Sequence, residues 1–489
     1  MLGYWRPHDE YLQFVSRQFR NVRDKSALLE YEGIVSKLLL LNLDPLRDVL
    51  APRYSSTGRK AKNQPELFRA LLLMQDLHIP PNKLLHKLQN NFVLRSACGF
   101  LKSELPGIAS LYDFMERITG KETSPCIRKF CRKPTKRIGN GKKLPHKRPN
   151  ITARIKERIL AGRRFPDPLA RVLNKILSLT VAQSGNLGLL GGSLDVSGDG
   201  TCILTGASHY GKRVCGCKTQ GTYNCDCPRK FSDPRAAWGW DSHKNCYFYG
   251  YSGYFISTYN KSLKIDLPLY LRIVDAKRHD SVSAIVALAE FRDMYPEFNI
   301  RSFISDSASD NYATYELLHH WDINAVIALN KTNKGNNKYP SPTAFDNNGV
   351  PICPNGHMMV HNGFCGKDRC RIKWRCPRVL GKAPAGTVCD SCSKSAYGRV
   401  VYTKPEWDLR LFCRIPRGSA QWKQLMKQRT AAERVNDRIL NDYRVEKTKH
   451  RGKNRIAFFV MAAAINIHLD AQLKFAKSNG GFDLLRYVA

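Results

Sequence analysis

Three acidic residues that lie far apart along the chain are candidate ligands for one divalent metal ion: Asp199, Asp306 and Glu433. Asp199 follows an alternating apolar run and stands between two glycines, which is typical of the C-terminal end of a strand. Asp306 follows a second strand-like run, 300–305, and Glu433 stands in a Gly- and Pro-free run, 428–440, with helical apolar spacing. Carboxylate oxygens suit Mg²⁺ or Mn²⁺ better than zinc. If these three side chains converge, they form a site for such an ion.

Each acid also has an ordinary structural interpretation. Asp beside Gly is commonly part of a turn, and Glu on a helix is commonly solvated. Further acids stand four residues from each candidate: Asp195, Asp310 and Asp437. Strand alternation places Asp195 and Asp199 on the same face, so periodicity alone does not choose between them.

The cysteines form two clusters that resemble metal sites. The N-terminus has no apolar segment after a basic start, so we expect a reducing compartment, where 16 cysteines favour metal binding over disulfides. Two Cys-x-Cys pairs could supply four thiolates to zinc, the alternative being reduced structural thiols. Their candidate ligands are Cys215, Cys217, Cys225 and Cys227.

The second cluster lies in a segment rich in Gly, Pro, Asn and Cys, roughly 331–420, which is too long for a structureless loop and is interpreted as an inserted subdomain. The segment contains few apolar residues for a core of its own, so a zinc-ribbon-like module is predicted. More than four ligands compete in it: Cys353, His357, Cys365, Cys370, Cys376, Cys389 and Cys392.

Composition indicates a folded protein with a polyanionic partner. The 489 residues carry 43% hydrophobic residues and a formal charge of +38, far more than solubility needs. Nucleic acid is the first candidate partner and an anionic membrane the second. The long apolar run, Ile456–Ile465, is too short to span a membrane and is predicted to be a buried core helix.

The order of elements predicts an α/β fold. Residues 64–118 show helical spacing, and a basic segment from Arg128 to Arg164 is either a solvated linker or an arm that tracks phosphates. After Leu194 the pattern reads β-β-β-α-β-α-β, followed by the insertion and the helix that carries Glu433. This order predicts a mixed sheet flanked by helices.

These motifs resemble the DDE transposases of bacterial insertion sequences. Asp199-Gly200-Thr201 looks like the family's first-strand motif, and Asp306-Ser307-Ala308 resembles the acid that closes its fourth strand. Arg429-Thr430-Ala431-Ala432-Glu433 is similar to its Arg-x-x-x-Glu helix. One large branch has Tyr and Lys where this chain has Met426 and Leu440. The segment from Pro65 to Ile118 resembles the family's N-terminal helical domain.

The resemblance implies a ribonuclease H-like catalytic domain and a division of the chain into five parts. These are an N-terminal helical DNA-binding domain (1–127), a basic linker and helix (128–190), the first part of the catalytic core (191–330), the Cys-rich insertion (331–420) and the second part of the core (421–489).

The resemblance also implies an activity: metal-dependent cleavage at transposon ends and strand transfer into target DNA, with Asp199, Asp306 and Glu433 holding two Mg²⁺ or Mn²⁺ ions. Zinc is expected only in a structural role. The alternative function is an inactive, zinc-containing DNA-binding protein derived from a transposase; a ribonuclease on the same fold fits the insertion and the N-terminal helices less well. The residues expected to contact DNA are Arg429, Arg434, Lys447, Lys449 and Arg451.

The expected partners are double-stranded DNA, in the form of terminal inverted repeats and target DNA, and further copies of the chain, because joining two ends needs at least a dimer. No membrane partner is expected. The expected location is the bacterial cytoplasm, in association with the nucleoid.

Overall fold

The computed structural model of the chain describes residues 1–489 apart from 21, 23–24, 136–149, 331–338, 340–342, 367, 388, 390–391, 447–449, 481–482 and 485–489. Within this range the N-terminal part is helical, as the sequence predicts. Its helices are α1 (His8–Arg20), α2 (Ser26–Glu30), α3 (Glu32–Leu40), α4 (Leu46–Leu50), α5 (Gln64–Asp76), α6 (Pro81–Asn90), α7 (Phe92–Cys98) and α8 (Ile108–Thr119).

Helix α5 is the buried centre of this N-terminal part. It begins with Pro65 in its first turn, where a missing N–H costs nothing, and its residues from Gln64 to Gln75 are buried. Even Arg69 is only 1% exposed, and its guanidinium lies 3.4 Å from the centre of the Tyr11 ring. The stacking offsets part of the cost of burying that charge.

The basic segment begins with a short strand and continues, beyond residues 136–149, as two helices. These elements are β1 (Cys126–Arg128), α9 (Ile151–Leu160) and α10 (Pro168–Asn186). Asp167 caps α10 by accepting a hydrogen bond from the amide of Ala170 at 3.1 Å. Helix α10 then packs on the catalytic sheet.

The part of the chain that follows α10 is a mixed α/β unit, which confirms the predicted fold class. Its elements alternate as the sequence predicts, with three small strands added after the first long one. They are β2 (Ser193–Leu204), β3 (Lys212–Arg213), β4 (Arg229–Phe231), β5 (Ala237–Asp241), β6 (Cys246–Asn260), β7 (Ile265–Asp275), α11 (Asp280–Met294), β8 (Asn299–Ser305), α12 (Tyr312–His320) and β9 (Asn324–Ile327).

The large sheet has the order β5-β6-β2-β8-β9, and β7 also pairs with β6. Strands β5, β6 and β7 run antiparallel to their partners, whereas β8 is parallel to both β2 and β9. The parallel connection from β8 to β9 passes through α12. This arrangement puts the C-terminal end of β8 beside the middle of β2.

The insertion between β9 and the last three helices has its own apolar core, so the prediction that it lacks one is wrong. Its strands are β10 (Ala344–Phe345), β11 (Pro351–Ile352), β12 (Val360–Cys365), β13 (Arg371–Arg375) and β14 (Val400–Thr403). The core comprises Cys353, Met359, Ile372, Trp374, Val401, Leu411 and Phe412. Aromatic side chains provide much of this burial despite the low count of aliphatic residues.

The chain ends with α13 (Ala420–Met426), α14 (Thr430–Asp437) and α15 (Lys453–Ser478). Helix α15 is long and apolar enough to cross a membrane, but 89% of its most apolar window is buried inside the protein. It packs on α10 and β7 as well as on α3, α5 and α8. The predicted buried helix is therefore confirmed, and it joins the N-terminal helices and the catalytic sheet in one core.

A histidine fixes this central helix in place. His468 is fully buried, and its ring bonds the Ser184 hydroxyl at 2.8 Å and the Pro268 carbonyl at 2.7 Å. Since the carbonyl only accepts, Nε2 carries the proton and the serine donates to Nδ1. Burial lowers the pKa of His468 to about 4, so the ring is neutral at physiological pH.

Candidate active site

Two of the three acids lie at the same level on neighbouring strands. The parallel pairing of β2 with β8 runs as far as Ser197 beside Ile304, so Asp199 and Asp306 each lie two residues beyond that pair. Side chains at matching positions of adjacent strands lie on the same face. The local structure therefore brings Asp199 and Asp306 together, although 106 intervening residues separate them.

Asp199 is not at the end of its strand, which corrects the prediction from sequence. Strand β2 continues to Leu204 and remains paired with β6 along that length. Only the pairing with β8 stops before Asp199. Asp306 does end its strand: it caps a short 3₁₀ turn by accepting a hydrogen bond from the amide of Ala308 at 3.0 Å.

The third acid comes from α14, which packs against β2, β6 and β7. Glu433 is 44% exposed and forms an ion pair of 2.6 Å with Arg429, one helical turn earlier. On the same helix, the Asn436 amide donates a hydrogen bond of 2.8 Å to Asp199. This contact fixes α14 relative to β2, so the glutamate helix and the aspartate strand hold a defined position.

The acids lie within electrostatic range of Asp199. Burial first, and then the charges of Asp306, Asp280 and Glu433, raise the pKa of Asp199 from 3.8 to about 7. Like charges at short range disfavour ionisation, as does partial removal from water. A carboxyl group whose pKa is raised by burial and by neighbouring carboxylates is typical of a functional site.

The site is nevertheless more open than a closed metal cage. In the described part of the chain, the only group of three or more His, Cys, Asp or Glu whose ligand atoms all lie within 4.8 Å of one another is the four-cysteine group of residues 215–227. The acids are thus close enough to repel but are not packed at metal-ligand distances.

The three alternative acids, called the rivals below, each contact other partners: they are Asp195, Asp310 and Asp437. Asp195 is ion-paired with Arg301, whose Nε lies 3.0 Å from it. Asp310 forms a buried ion pair of 2.8 Å with Arg410 and accepts a hydrogen bond from the Asn330 amide. Asp437 accepts a hydrogen bond from the side chain of the residue four positions later, at 2.6 Å. These contacts give each rival a structural role.

Asp280 is an acid of the site that sequence reasoning missed. It stands at the start of α11, whose cap is His279: the His279 ring accepts a hydrogen bond from the amide of Ser281. Among the contacts of the described residues, no hydrogen bond or ion pair joins the Asp280 carboxylate to another group. It is half-buried, and burial raises its pKa. A position at the start of a helix gave no signal in the sequence that Asp280 lies near Asp199.

The two glycines around Asp199 have steric reasons. A Cβ atom at Gly200 would overlap the Asp280 carboxylate, and one at Gly198 would overlap the Tyr254 hydroxyl. Strand alternation places both of these contacts on the face opposite the Asp199 side chain. The Gly-Asp-Gly sequence therefore lets α11 and β6 approach β2 closely and brings the fourth carboxylate within electrostatic range.

The arginines expected to contact DNA already have protein partners. Arg429 holds Glu433, and Arg434 forms two hydrogen bonds of 2.6 and 2.8 Å with Asp266 on β7. Arg451 donates to the Gly206 carbonyl at 3.2 Å. Lys447 and Lys449 lie outside the described residues. DNA contact by these five residues stays a prediction.

A cationic cleft of about 400 Å³ near the start of α11 was not foreseen. It lies between α9 and the chain that leads into α11, two residues before Asp280. Arg154, Arg158 and Arg278 line it with exposed side chains, together with Arg272 and Lys453, which are ion-paired to acids. The arginine spacing on α9 was a usable signal, since residues four apart share a helix face.

The two cysteine clusters differ in the structure. The first is assembled: the sulfurs of Cys215 and Cys225 lie 3.6 Å apart and those of Cys217 and Cys227 lie 3.5 Å apart. In the insertion, the candidate ligands that the structure describes do not form such a group. Zinc binding there remains a prediction. The described thiols are free in both clusters.

The sequence was compared with protein families and with curated proteins. The profile of the transposase DDE domain matches residues 199–469 and so begins at the first proposed acid and covers the other two. The profile of a transposase domain (DUF772) matches residues 34–117 in the N-terminal helices. No curated protein matches the chain significantly. The first match spans more than half of the chain, so the chain belongs to the transposases with a DDE domain and the ribonuclease H-like fold of that family.

Proposed function

We propose that the chain cleaves DNA at the ends of a transposable element and transfers the freed strand to target DNA, using a divalent metal ion held by Asp199, Asp306 and Glu433. The observation that carries the proposal is the coupling of these acids at the point where β8 ends beside β2. Burial and the neighbouring acids raise the pKa of Asp199 to about 7. A cation relieves that repulsion directly.

The donor set fits Mg²⁺ or Mn²⁺. All of the proposed ligands are carboxylates, and the Asp280 carboxylate adds a further negative charge that acts on Asp199. A bound ion supplies a lowered pKa for the attacking hydroxyl and charge neutralisation for the leaving oxygen. The residues of the chain position that chemistry: Asn436 orients the Asp199 carboxylate, and Arg429 orients Glu433.

No side chain is required as a covalent nucleophile. Phosphodiester cleavage and transfer proceed by in-line attack, first by water and then by the 3′-hydroxyl, so the protein contributes alignment and electrostatics. In the absence of metal, Asp199 is partly protonated near neutral pH, because its pKa is about 7. Metal binding at Asp199 therefore releases protons.

The DNA partner fits the cationic surfaces near the acids. Arg154, Arg158 and Arg278 beside Asp280 can neutralise phosphates on one side of the site. The remaining parts of the proposal follow from joining two DNA ends: double-stranded inverted repeats as substrate, at least a dimer in the complex, and action on DNA in the bacterial cytoplasm. Zinc enters as a structural cofactor at the first cysteine cluster.

The experiment is Mg²⁺-dependent nicking of a DNA duplex that carries the inverted repeats flanking the reading frame. Wild-type protein is expected to nick the end, and Asp306→Asn to lose the activity because a metal ligand becomes a neutral amide. Asp195→Asn is the matched control, since that acid pairs with Arg301 away from the site. Equal cleavage by Asp306→Asn and wild type would refute the site assignment. Loss of nicking in all proteins with DNA binding intact would favour the inactive DNA-binding alternative.

A further inference from the structure

Four cysteine sulfurs lie together between β2 and β5, apart from the acidic site. Those of Cys215, Cys217, Cys225 and Cys227 are all within 4.8 Å of one another, with close pairs at 3.5 and 3.6 Å. A disulfide brings its sulfurs to about 2.05 Å. Four thiolates around zinc at about 2.3 Å lie roughly 3.8 Å apart by tetrahedral geometry. The observed pairs match a metal site and not two disulfides.

The backbone that carries these cysteines is a small antiparallel ladder. Lys212 pairs with Lys230 and Arg213 with Arg229, so the chain leaving β3 lies opposite the chain entering β4. Cys215 follows β3 by two residues and Cys227 precedes β4 by two. The amide of Thr222 bonds the Cys217 carbonyl at 2.8 Å and closes the loop between the two cysteine pairs. Strand register therefore sets the arrangement of the ligands.

The segment has only a small apolar core, and hydrogen bonds from Arg132, Arg213 and Arg229 to loop carbonyls supply part of its order. Val214 is 50% exposed and Tyr223 is 62% exposed, and the buried apolar side chains beside the ladder are those of Phe130 and Phe231. A loop of this size with so small a core is typically ordered by a metal, whose binding energy becomes folding energy. Zinc with four thiolates has no open coordination position, so the site is structural.

The ladder also connects two parts of the chain. Strand β1, from the segment that precedes residues 136–149, pairs with β4. Arg229 lies over the Phe130 ring at 3.7 Å and donates to the Cys225 carbonyl at 3.2 Å. Arg128 donates to the Tyr249 hydroxyl on β6 at 2.9 Å. The cysteine loop thus lies where the basic linker meets the catalytic sheet.

We propose that Cys215, Cys217, Cys225 and Cys227 bind one structural zinc ion that fixes the basic linker against the catalytic sheet. Binding replaces thiol protons by four Zn–S bonds and involves no oxidation. The fixed ladder then presents the exposed side chains of Lys212 and Lys230, which are paired in register. Such a pair of lysines suits the phosphates of a DNA duplex.

The test measures the zinc content of the purified full-length protein by mass spectrometry of the metal. We expect Cys217→Ser/Cys227→Ser to hold about one zinc fewer per chain than wild type. The control is Cys131→Ser/Cys246→Ser, which removes two exposed thiols outside the group and should leave the zinc content unchanged. Equal zinc in the two double variants would overturn the proposal, whatever the insertion binds.

A second measurement keeps the test decisive if the serine variant does not fold. Cys217→His retains a zinc-ligating side chain and is expected to keep the metal, while cobalt substituted into wild type should show tetrahedral thiolate absorption. Absence of that absorption from folded wild-type protein would also overturn the proposal. Neither the zinc measurement nor the cobalt measurement requires DNA or Mg²⁺. Their outcomes are therefore independent of the nicking assay.

Discussion

The acidic site and the cysteine site illustrate two ways in which a fold can prepare for a metal ion. The four thiols are gathered within 4.8 Å by a short ladder and a closed loop, whereas the acids come from two strands and two helices distant in sequence. Neutral thiols can be packed together without a cation. Carboxylates repel, and the repulsion appears as the raised pKa of Asp199. The first arrangement suits a permanent structural ion and the second an ion that binds with substrate.

Among substitutions at the acidic site, Glu433→Gln is expected to have the largest effect on DNA cleavage. It removes one charged ligand and should reduce DNA cleavage roughly 10³-fold, the equivalent of about 4 kcal/mol of lost charge stabilisation. The rate of end cleavage in Mg²⁺ measures it. Asp437→Asn, an exposed change on the same helix, should stay within about threefold of wild type. A Glu433→Gln protein as active as that control would remove the glutamate from the site.

The repulsion between Asp199 and the neighbouring acids can be measured through the free energy of unfolding. The pKa of Asp199 is raised from 3.8 to about 7 in the folded protein, so folding favours the protonated carboxyl group. Its contribution to the free energy of unfolding is therefore complete below pH 4 and is lost as the pH rises through about 7. In zinc-containing protein without Mg²⁺, Asp199→Asn should therefore raise the free energy of unfolding at pH 8, by at most roughly 4 kcal/mol. Near pH 4 the substitution should have no effect. Urea unfolding at both pH values measures the difference. A constant effect across pH would contradict the coupling.

Metal affinity should depend on pH at the acids. A carboxyl group with a pKa of about 7 is mostly protonated at pH 6 and mostly ionised at pH 8. Mn²⁺ should therefore bind roughly tenfold more weakly at pH 6. Calorimetric titration of zinc-loaded protein gives both affinities. An affinity that is the same at the two pH values would show that Asp199 is ionised throughout or is not a ligand.

A smaller effect is expected for Asp280→Asn. Loss of one negative charge should weaken Mn²⁺ binding at pH 8 roughly threefold, while a lower pKa of Asp199 should reduce the difference between pH 6 and pH 8. The same titration measures both changes. Asp275→Asn, an exposed acid five residues earlier, is the control. An unaltered pH dependence in Asp280→Asn would place this carboxylate outside the electrostatic reach of the site.

Sequence was sufficient for the local parts of this account. Helical spacing predicted α5 and α14, and the alternating runs predicted the order of the long strands. Asp199 was misplaced at a strand end because glycines usually mark turns, whereas here they permit close approach of Asp280 and Tyr254. The core of the insertion was missed because its few apolar residues are spread along the segment and come together only in the folded chain.

Long-range pairing was the part that sequence patterns could not supply. Periodicity did not separate Asp195 from Asp199 or Asp310 from Asp306, because each pair is four residues apart. The partners of the rivals, Arg301 and Arg410, lie 106 and 100 residues away, so only the folded chain brings them together. The proximity of Asp280 to Asp199 is of the same kind.

The most direct test of the central claim is a Mn²⁺ titration of zinc-loaded protein bound to pre-cleaved end DNA. The account predicts saturable binding by wild type and by Asp195→Asn, with loss of that binding in Asp306→Asn. Zinc content should stay the same in all three proteins. Equal Mn²⁺ binding by wild type and Asp306→Asn would contradict the claim that the acids gathered where β8 ends beside β2 form the metal site.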